Sequence, residues 1–371
     1  MKINLLIVED DAAIISEWTQ SIQLYNIEEE QKKFDINAEY VDNLADSSEL
    51  IKSKKFDAIV IDIRLKSNNQ QPNSDGNILI NNAISDTMAL IAVCTAEPNI
   101  VEIPLDQNEL IEIFQKGVAG KSVVSQSIGW LEKKVKLISS VQHIRTGFDK
   151  EMATLFSRSI WARWNYWVQN TDTQEINRAL TRHMATHLHA SFMNEGNQKA
   201  HPEEYFFIPP LREQLDTGDI FKNENGQLVI LVTPRCELAQ DKHDTFQLIM
   251  LDDVSDDWTQ KVKKVSSAKD EGKRKTAQDS LRRFSNHSNN TASCHFIPEI
   301  RIDAHTTLGP FFARFNKLTS IEKGDAEAVA KLKEERFASL SNEFVPSLVE
   351  RLGNFFSRIG TPDYSHPEQS N

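Results

Sequence analysis

Four short apolar runs, each followed by polar residues with chemistry to offer, constrain this chain more than any other feature. They are residues 4–8 ahead of Glu9 and Asp10, 58–61 ahead of Asp62, 89–93 ahead of Thr95, and 110–114 ahead of Lys116. Short runs with so little polar alternation suit strands buried on both faces, as in a parallel sheet covered by helices. Ligands of such sheets bind beyond the carboxyl ends of the strands. The pattern predicts a doubly wound α/β domain with all the polar residues gathered at one edge.

Each of these residue types has a reason to stand there. An aspartate such as Asp62 can accept a phosphoryl group as a nucleophile if a divalent cation offsets the repulsion between carboxylate and phosphate. Glu9 and Asp10 are candidates to hold that cation beside Asp62. Magnesium prefers a few carboxylates together with carbonyl, water and phosphate oxygens. Lys116 offers a compact positive charge for a phosphoryl oxygen, and Thr95 a hydroxyl for another. The plain alternative is that these are polar residues ending the strands of an ordinary α/β domain.

Taken in order, Leu6-Ile7-Val8-Glu9-Asp10-Asp11, Asp62-Ile63-Arg64-Leu65, Asp75-Gly76, Cys94-Thr95-Ala96 and Lys116 make residues 1–138 resemble a response-regulator receiver domain. The resemblance implies a flavodoxin-like five-stranded parallel sheet and a phospho-acceptor, Asp62. It also implies Mg2+ on Glu9, Asp10, Asp62 and the backbone carbonyl of Arg64, with phosphate contacts from Thr95 and Lys116. The donor would be a histidine kinase or a histidine-kinase-like ATPase. This sequence departs from the family in ways that bear on signalling. Gly117 follows Lys116 where receivers carry a proline. Ile113 stands where they place an aromatic, and Phe114 falls one place later, on the opposite strand face. Pro98 and Pro104 interrupt the stretch that would hold the fourth helix. The polar insertion 66–74 reads as a solvated loop, with a lid or partner contact as the other use.

Composition fits a cytoplasmic signalling protein of two or three domains in 371 residues. No apolar run reaches the roughly 18 residues of a membrane-spanning helix, so no membrane role is expected. Cys94, Cys236 and Cys294 form no disulfide framework. Residues 1–138 carry 22 acids and 13 bases, whereas the remainder is nearly neutral within a total of −12. Nucleic acid is therefore not an expected partner of the receiver, and no basic helix-turn-helix follows it.

Beyond the receiver the chain reads as a helical connector over 139–200, a β-rich domain of unknown function over 201–310, and C-terminal helices with a tail over 311–371. In the connector, Trp161, Trp164 and Trp167 share a helical spacing that predicts core packing, with a dimer interface between two copies as the other use. His183 and His187, four apart, lack the glutamate of the peptidase zinc motif and read as partly exposed structural histidines. Glycine and asparagine between β-branched runs around 218–251 predict a hairpin or small barrel. Cys236, Glu237, Cys294 and His295 would furnish a Zn2+ site or a nucleophilic site if the two segments met, although the spacing lacks the paired pattern of zinc motifs. Residues 259–292, rich in lysine and arginine, read as a solvated insertion, since no aromatic stacking platform accompanies them, with a basic helix touching nucleic acid as the other use. Residues 325–340 and 344–359 have the spacing of two amphipathic helices.

Three C-terminal pieces, 233–238, 338–341 and 358–363, resemble receiver proteins of bacterial mobile defence islands, which implies an anti-phage setting and a partner ATPase. The leading expectation is a response regulator with an output region that is not a helix-turn-helix. The alternatives are an effector enzyme switched by the receiver, or a degenerate receiver that docks a histidine-kinase-like ATPase.

Overall fold

The computed structural model describes residues 1–28, 32–65, 75–103, 110–120, 122–169, 172–193, 200–223, 225–286, 292–303 and 305–358. The insertion 66–74, Pro104, residues 359–363 and the tail lie outside them. The chain divides into two compact units, Met1–Gly196 and Asn197–Asn371.

The first unit opens with β1 (Lys2–Val8), α1 (Ala12–Ile27), β2 (Asp35–Val41), α2 (Leu44–Ser53), β3 (Ala58–Ile61), α3 (Asp75–Asp86), β4 (Leu90–Thr95), β5 (Ile111–Gln115) and α4 (Val123–Leu155). All five strands are parallel, in the order β2-β1-β3-β4-β5. This is the flavodoxin-like doubly wound sheet, with its topological switch between β1 and β3. Both faces are covered over β3, β4 and the end of β1, which explains why those runs are apolar, whereas β5, at the sheet edge, carries exposed Glu112 and Ile113. Ile3, Leu5 and Ile7 of β1 pack in one cluster with Trp18 of α1 and Trp130 of α4. Leu6 and Val8 face the other way, into a cluster with Leu79 and Ile80 of α3. The period of two along one strand thus feeds two cores.

Between β4 and β5 the described residues hold a single 3-10 turn, Pro98–Ile100, where a fourth covering helix would run. Pro98 opens the turn at a position where its missing N–H costs no intrahelical bond.

Helix α4 is 33 residues long, about 50 Å. Val124, Ile128, Leu131 and Ile138 bury its first half. The sheet's amino end holds its middle through Asp57, a buried carboxylate just before β3. Asp57 accepts from the Asn4 backbone N–H at 2.8 Å, from Gln142 Nε2 at 2.9 Å and from Arg145 at 3.4 Å. The boundary read at 138 therefore falls inside one continuous helix. Its end passes through a π turn, a 3-10 turn and the short α5 (Trp164–Trp167) into α6 (Thr173–Met193). Helix α6 returns along α4, with Phe148 and Phe192 at 5.0 Å and Ser191 donating to Glu151 at 2.7 Å.

The tryptophans at this turn do not form the expected core: Trp161 is 66% exposed and Trp164 39%. All three lie beyond the π turn, on a 3-10 turn and the four-residue α5, and that short segment leaves Trp161 and Trp164 on the surface. His183 is half-buried between Trp167 and His187, as a structural histidine would be.

The second unit comprises β6 (Phe206–Phe207), β7 (Asp219–Lys222), β8 (Leu228–Leu231), α7 (Arg235–Ala239), β9 (Thr245–Asp253), α8 (Ser255–Ser266), α9 (Glu271–Ser285), β10 (Cys294–Ile297), β11 (Ile300–Arg301), β12 (Thr307–Leu308), β13 (Phe311–Glu322), α10 (Ala326–Glu334), β14 (Arg336–Leu340) and α11 (Val345–Phe356). Seven strands form an antiparallel sheet in the order β10-β13-β9-β8-β7-β14-β6. The expected hairpin is β7–β8, turned at Gly226 with φ of 74°. Helix α11 packs Val345 and Leu348 on one face of the sheet, and α10 packs Leu332 on the other.

Two readings change here. Residues 336–340 are a strand and not the end of a helix, because Ala338 and Leu340 bury alternately between β7 and β6. Strands β13 and β14 belong to the same sheet as β7 to β9, so 201–310 and 311–371 share one core. Among the described residues no helix is long and apolar enough to cross a membrane.

Asp57→Ala should destabilise the first unit by about 3 kcal/mol, because it leaves the half-enclosed Arg145 guanidinium without its carboxylate. Chemical denaturation measures this; a loss below about 0.5 kcal/mol, typical of a surface site, would contradict the clamp.

Candidate functional site

The carboxyl edge of the parallel sheet gathers the residues that end its strands. Glu9 and Asp10 follow β1, Asp62 follows β3, Thr95 ends β4 and Lys116 follows β5. Glu9 and Asp62 flank the switch point, where no crossover helix covers the edge. Asp11 caps α1 by accepting from the Ala13 N–H at 2.8 Å, which fixes how the acidic pair leaves the strand. Gly76 seats the start of α3 against the β3 loop, donating its N–H to Ile63 O at 3.1 Å. A Cβ at Gly76 would lie 2.5 Å from the carbonyl oxygen of Asp62 and 2.5 Å from Ile63 Cα.

One ammonium joins the acids. Lys116 Nζ lies 2.7 Å from Glu9 Oε2 and 2.8 Å from Asp62 Oδ2. Glu9 Oε1 accepts from the Asp11 N–H at 3.1 Å, and Asp62 Oδ1 from the Arg64 N–H at 3.4 Å. Ligand atoms of Glu9, Asp10 and Asp62 all lie within 4.8 Å of one another. Thr95 is buried, and its Oγ1 accepts from the Glu97 N–H at 3.1 Å, which leaves the hydroxyl proton to donate. The Arg64 side chain pairs with Glu97 across the rim. That pair, like the Asp57 clamp, carried no sequence signal beyond opposite charges far apart in the chain.

Burial pushes the Glu9 and Asp62 carboxyls above the ordinary carboxylate range, against the hydrogen bond and charge of Lys116 that pull them down. Burial also works against the Lys116 ammonium, but the hydrogen bonds with Asp62 and Glu9 more than offset it, and its pKa stands above the ordinary lysine value. Hard oxygen donors so close together fit magnesium, the cation implied by the sequence.

Phe114 packs against Trp130 at 6.4 Å between ring centroids, in the core. Ile113 faces the other way and is 39% exposed. The aromatic that would couple to Thr95 in the family pattern is therefore absent from that face. Gly117 adopts φ of 78°, a left-handed conformation that glycine favours.

The C-terminal quartet does not assemble. Cys236 and Glu237 are exposed on α7, which follows β8, whereas Cys294 and His295 lie on the edge strand β10, with β13 and β9 between it and β8. Adjacent residues on a strand point to opposite faces. Cys294 enters an aromatic cluster with Phe296 and Phe312, where burial pushes its thiol up and opposes the thiolate that zinc requires. His295 Nε2 lies 3.3 Å from the Tyr205 hydroxyl on the other side. Among the described residues the acidic trio is the sole metal-compatible cluster, and zinc has no site.

The raised carboxyl pKa values have a definite sign. Folding favours protonated Glu9 and Asp62, so their contribution to stability is present below the unfolded carboxylate range and is lost as pH rises through the raised folded values. At neutral pH and without metal, Asp62→Asn should therefore raise the melting temperature by a few degrees, about 1 kcal/mol. Lys116→Ala should lower stability by about 2–4 kcal/mol, since it leaves buried like charges uncompensated. A destabilised Asp62→Asn protein would contradict this electrostatic picture.

No protein-family model matches the chain, and no curated protein matches it. Solved structures do. A CheY-like receiver domain of Methylobacillus flagellatus is 19% identical, covering 34% of this chain and 99% of that one, with a TM-score of 0.25. The receiver domain of the Francisella response regulator 1452 is 15% identical, covering 38% and 98%, with a TM-score of 0.22. RcsB of Salmonella enterica serovar Typhimurium, solved bound to a promoter with phosphomimetic BeF3−, is 14% identical, covering 50% and 92%, with a TM-score of 0.26. By its strand order and by the residues at its carboxyl edge, the sheet of the first unit has the CheY-like receiver fold.

Proposed function

We propose that this chain is a response regulator that accepts a phosphoryl group on Asp62. The observation that carries this reading is the Lys116 ammonium held between Glu9 and Asp62 beside a third carboxylate, Asp10. An Asp62 oxygen attacks the donor phosphorus and forms an O–P bond while the donor's P–N bond breaks, and the departing imidazole nitrogen takes up a proton. A phosphohistidine donor suits this exchange, so the partner is a histidine kinase or a histidine-kinase-like ATPase.

Lys116 can follow the new charge, because its contact with Asp62 Oδ2 lies where a phosphoryl oxygen would compete for it. Thr95 has a hydroxyl proton to donate. Glu9, Asp10, Asp62 and the Arg64 carbonyl would hold magnesium, which would supply the charge neutralisation that lets a carboxylate meet a phosphate. The likeness of the C-terminal pieces to defence-island receiver proteins extends the reading to anti-phage signalling. The phosphoryl group can shift only those contacts it binds differently in two states. Exposed Ile113, and the 3-10 turn that stands between β4 and β5 among the described residues, favour an output away from that usual face, toward the loops around Arg64, Glu97 and Lys116.

Thermal unfolding in magnesium, with and without beryllofluoride, tests the acceptor. Magnesium at about 100 times its dissociation constant should stabilise the protein by about 2.7 kcal/mol, with a further rise on adding beryllofluoride. Asp62→Asn should lose the beryllofluoride increment. A wild-type protein indifferent to both would leave the fold without this function. Gly76→Ala, which displaces the backbone that carries Asp62, should weaken the magnesium response and cost about 1–3 kcal/mol.

A further inference from the structure

Helices α8 and α9 form a hairpin that stands on the edge of the antiparallel sheet. Its base is aromatic: Trp258 lies 5.6 Å from Phe296, and Phe284 lies 5.0 Å from Phe312, between ring centroids. Its register is fixed by Lys261 Nζ, which donates to Ser280 Oγ at 3.3 Å and lies over the Phe284 ring at 5.1 Å. Outside that seam the hairpin is cationic. Between residues 261 and 283 stand nine lysines and arginines against three acids, in a chain whose net charge is −12.

Two of the three acids serve the helix. Asp270 caps α9 by accepting from the Lys273 N–H at 2.7 Å, and Glu271 sits in its first turn, where the helix dipole favours negative charge. Among the described residues, Lys273 alone of the nine cations has a carboxylate partner, Asp270 at 3.4 Å.

A second observation comes from the cleft where the hairpin meets the sheet. It has a volume of about 470 Å3, and its polar lining is Lys261, Arg283 and Arg314 with the hydroxyls of Thr276, Ser280 and Ser293. No carboxylate lines it. Arg314 is held from behind by Asp252 at 3.0 Å. Thr276 Oγ1 donates to Gly272 O at 3.0 Å, so the donors left to the cleft are three cations and the hydroxyls of Ser280 and Ser293, an anion site with the chemistry that phosphate oxygens satisfy.

The cations do not stop at the cleft. From it they continue through Lys263, Lys264, Lys269, Lys273, Arg274 and Lys275 toward the far turn of the hairpin. Helix α9 is 15 residues long, about 22 Å, a length that matches about six base-pair steps of a duplex. A lone anion would meet the cleft but not this run of charge. A protein partner would need an apolar centre, and charged residues are depleted from such centres. We propose that the α8–α9 hairpin and the cleft at its base bind the phosphate backbone of nucleic acid, without reading the bases. Phe284 and Phe312 are packed into the hairpin's base and unavailable for stacking, so the contacts are with phosphate.

Fluorescence anisotropy of the full chain with a labelled mixed-sequence DNA duplex of about 20 base pairs tests this across a salt series. Expected is binding that weakens with salt, with a slope of log K on log[salt] of about −0.9 for each phosphate contacted. Arg283→Gln and the double substitution Lys263→Gln/Lys264→Gln, all on exposed side chains, should reduce the slope by about one for each charge removed and weaken every sequence alike. Circular dichroism verifies that the variants remain folded. Absence of binding at about 50 mM salt, or a slope unmoved by these substitutions, would overturn the proposal. So would polyglutamate that competes as well as unlabelled duplex, the outcome for a surface that binds acidic protein. Asp62→Asn should bind the duplex in the unphosphorylated state as the wild type does, so this result and that of the phosphoryl-acceptor test are independent.

Discussion

The Lys116 ammonium is the contact on which the receiver edge depends. Three carboxylates with ligand atoms within 4.8 Å of one another would repel at neutral pH, and burial adds to their cost. Lys116, at 2.7 Å and 2.8 Å from two of them, offsets part of that repulsion. What remains is a site suited to further positive charge, from a cation or a proton. The parallel sheet makes this arrangement possible, since four strands end at one edge and the switch between β1 and β3 leaves that edge uncovered.

The opposite edge has its own anchor. Asp57 ties the start of β1 and the middle of α4 to the base of β3, so the long helix and the sheet move as one piece. A change at the carboxyl edge is not free to slide α4 along the sheet without breaking that buried carboxylate's contacts. This favours local rearrangement of the edge loops, where the exposed pair of Arg64 and Glu97 spans two of them. The second unit has separate chemistry, acidic in its loops and cationic along one helical hairpin.

Much of the receiver was legible because its signals are local. Apolar runs mark doubly covered strands, and a residue's place after a run puts it at the edge, so Glu9, Asp10, Asp62, Thr95 and Lys116 could all be placed at one edge from order alone. What could not be read depended on distant pairing. Residues 336–340 look helical beside 326–334, and only the partner strands β6 and β7 make them extended. Cys294 and His295 look like a ligand pair until strand alternation sends them to opposite faces. The tryptophan spacing was met only by a 3-10 turn and a four-residue helix, which leave Trp161 and Trp164 exposed where the spacing predicted a core.

The claim at the centre is that Asp62 becomes an acyl phosphate. Incubation with a small phosphoryl donor and magnesium, followed by borohydride reduction and peptide mass analysis, reads this directly, since an aspartyl phosphate is reduced to homoserine. Conversion confined to Asp62, dependent on magnesium and lost in Lys116→Ala, is the expected result. Conversion at another carboxylate, or none at Asp62 in the folded wild-type chain, would contradict it.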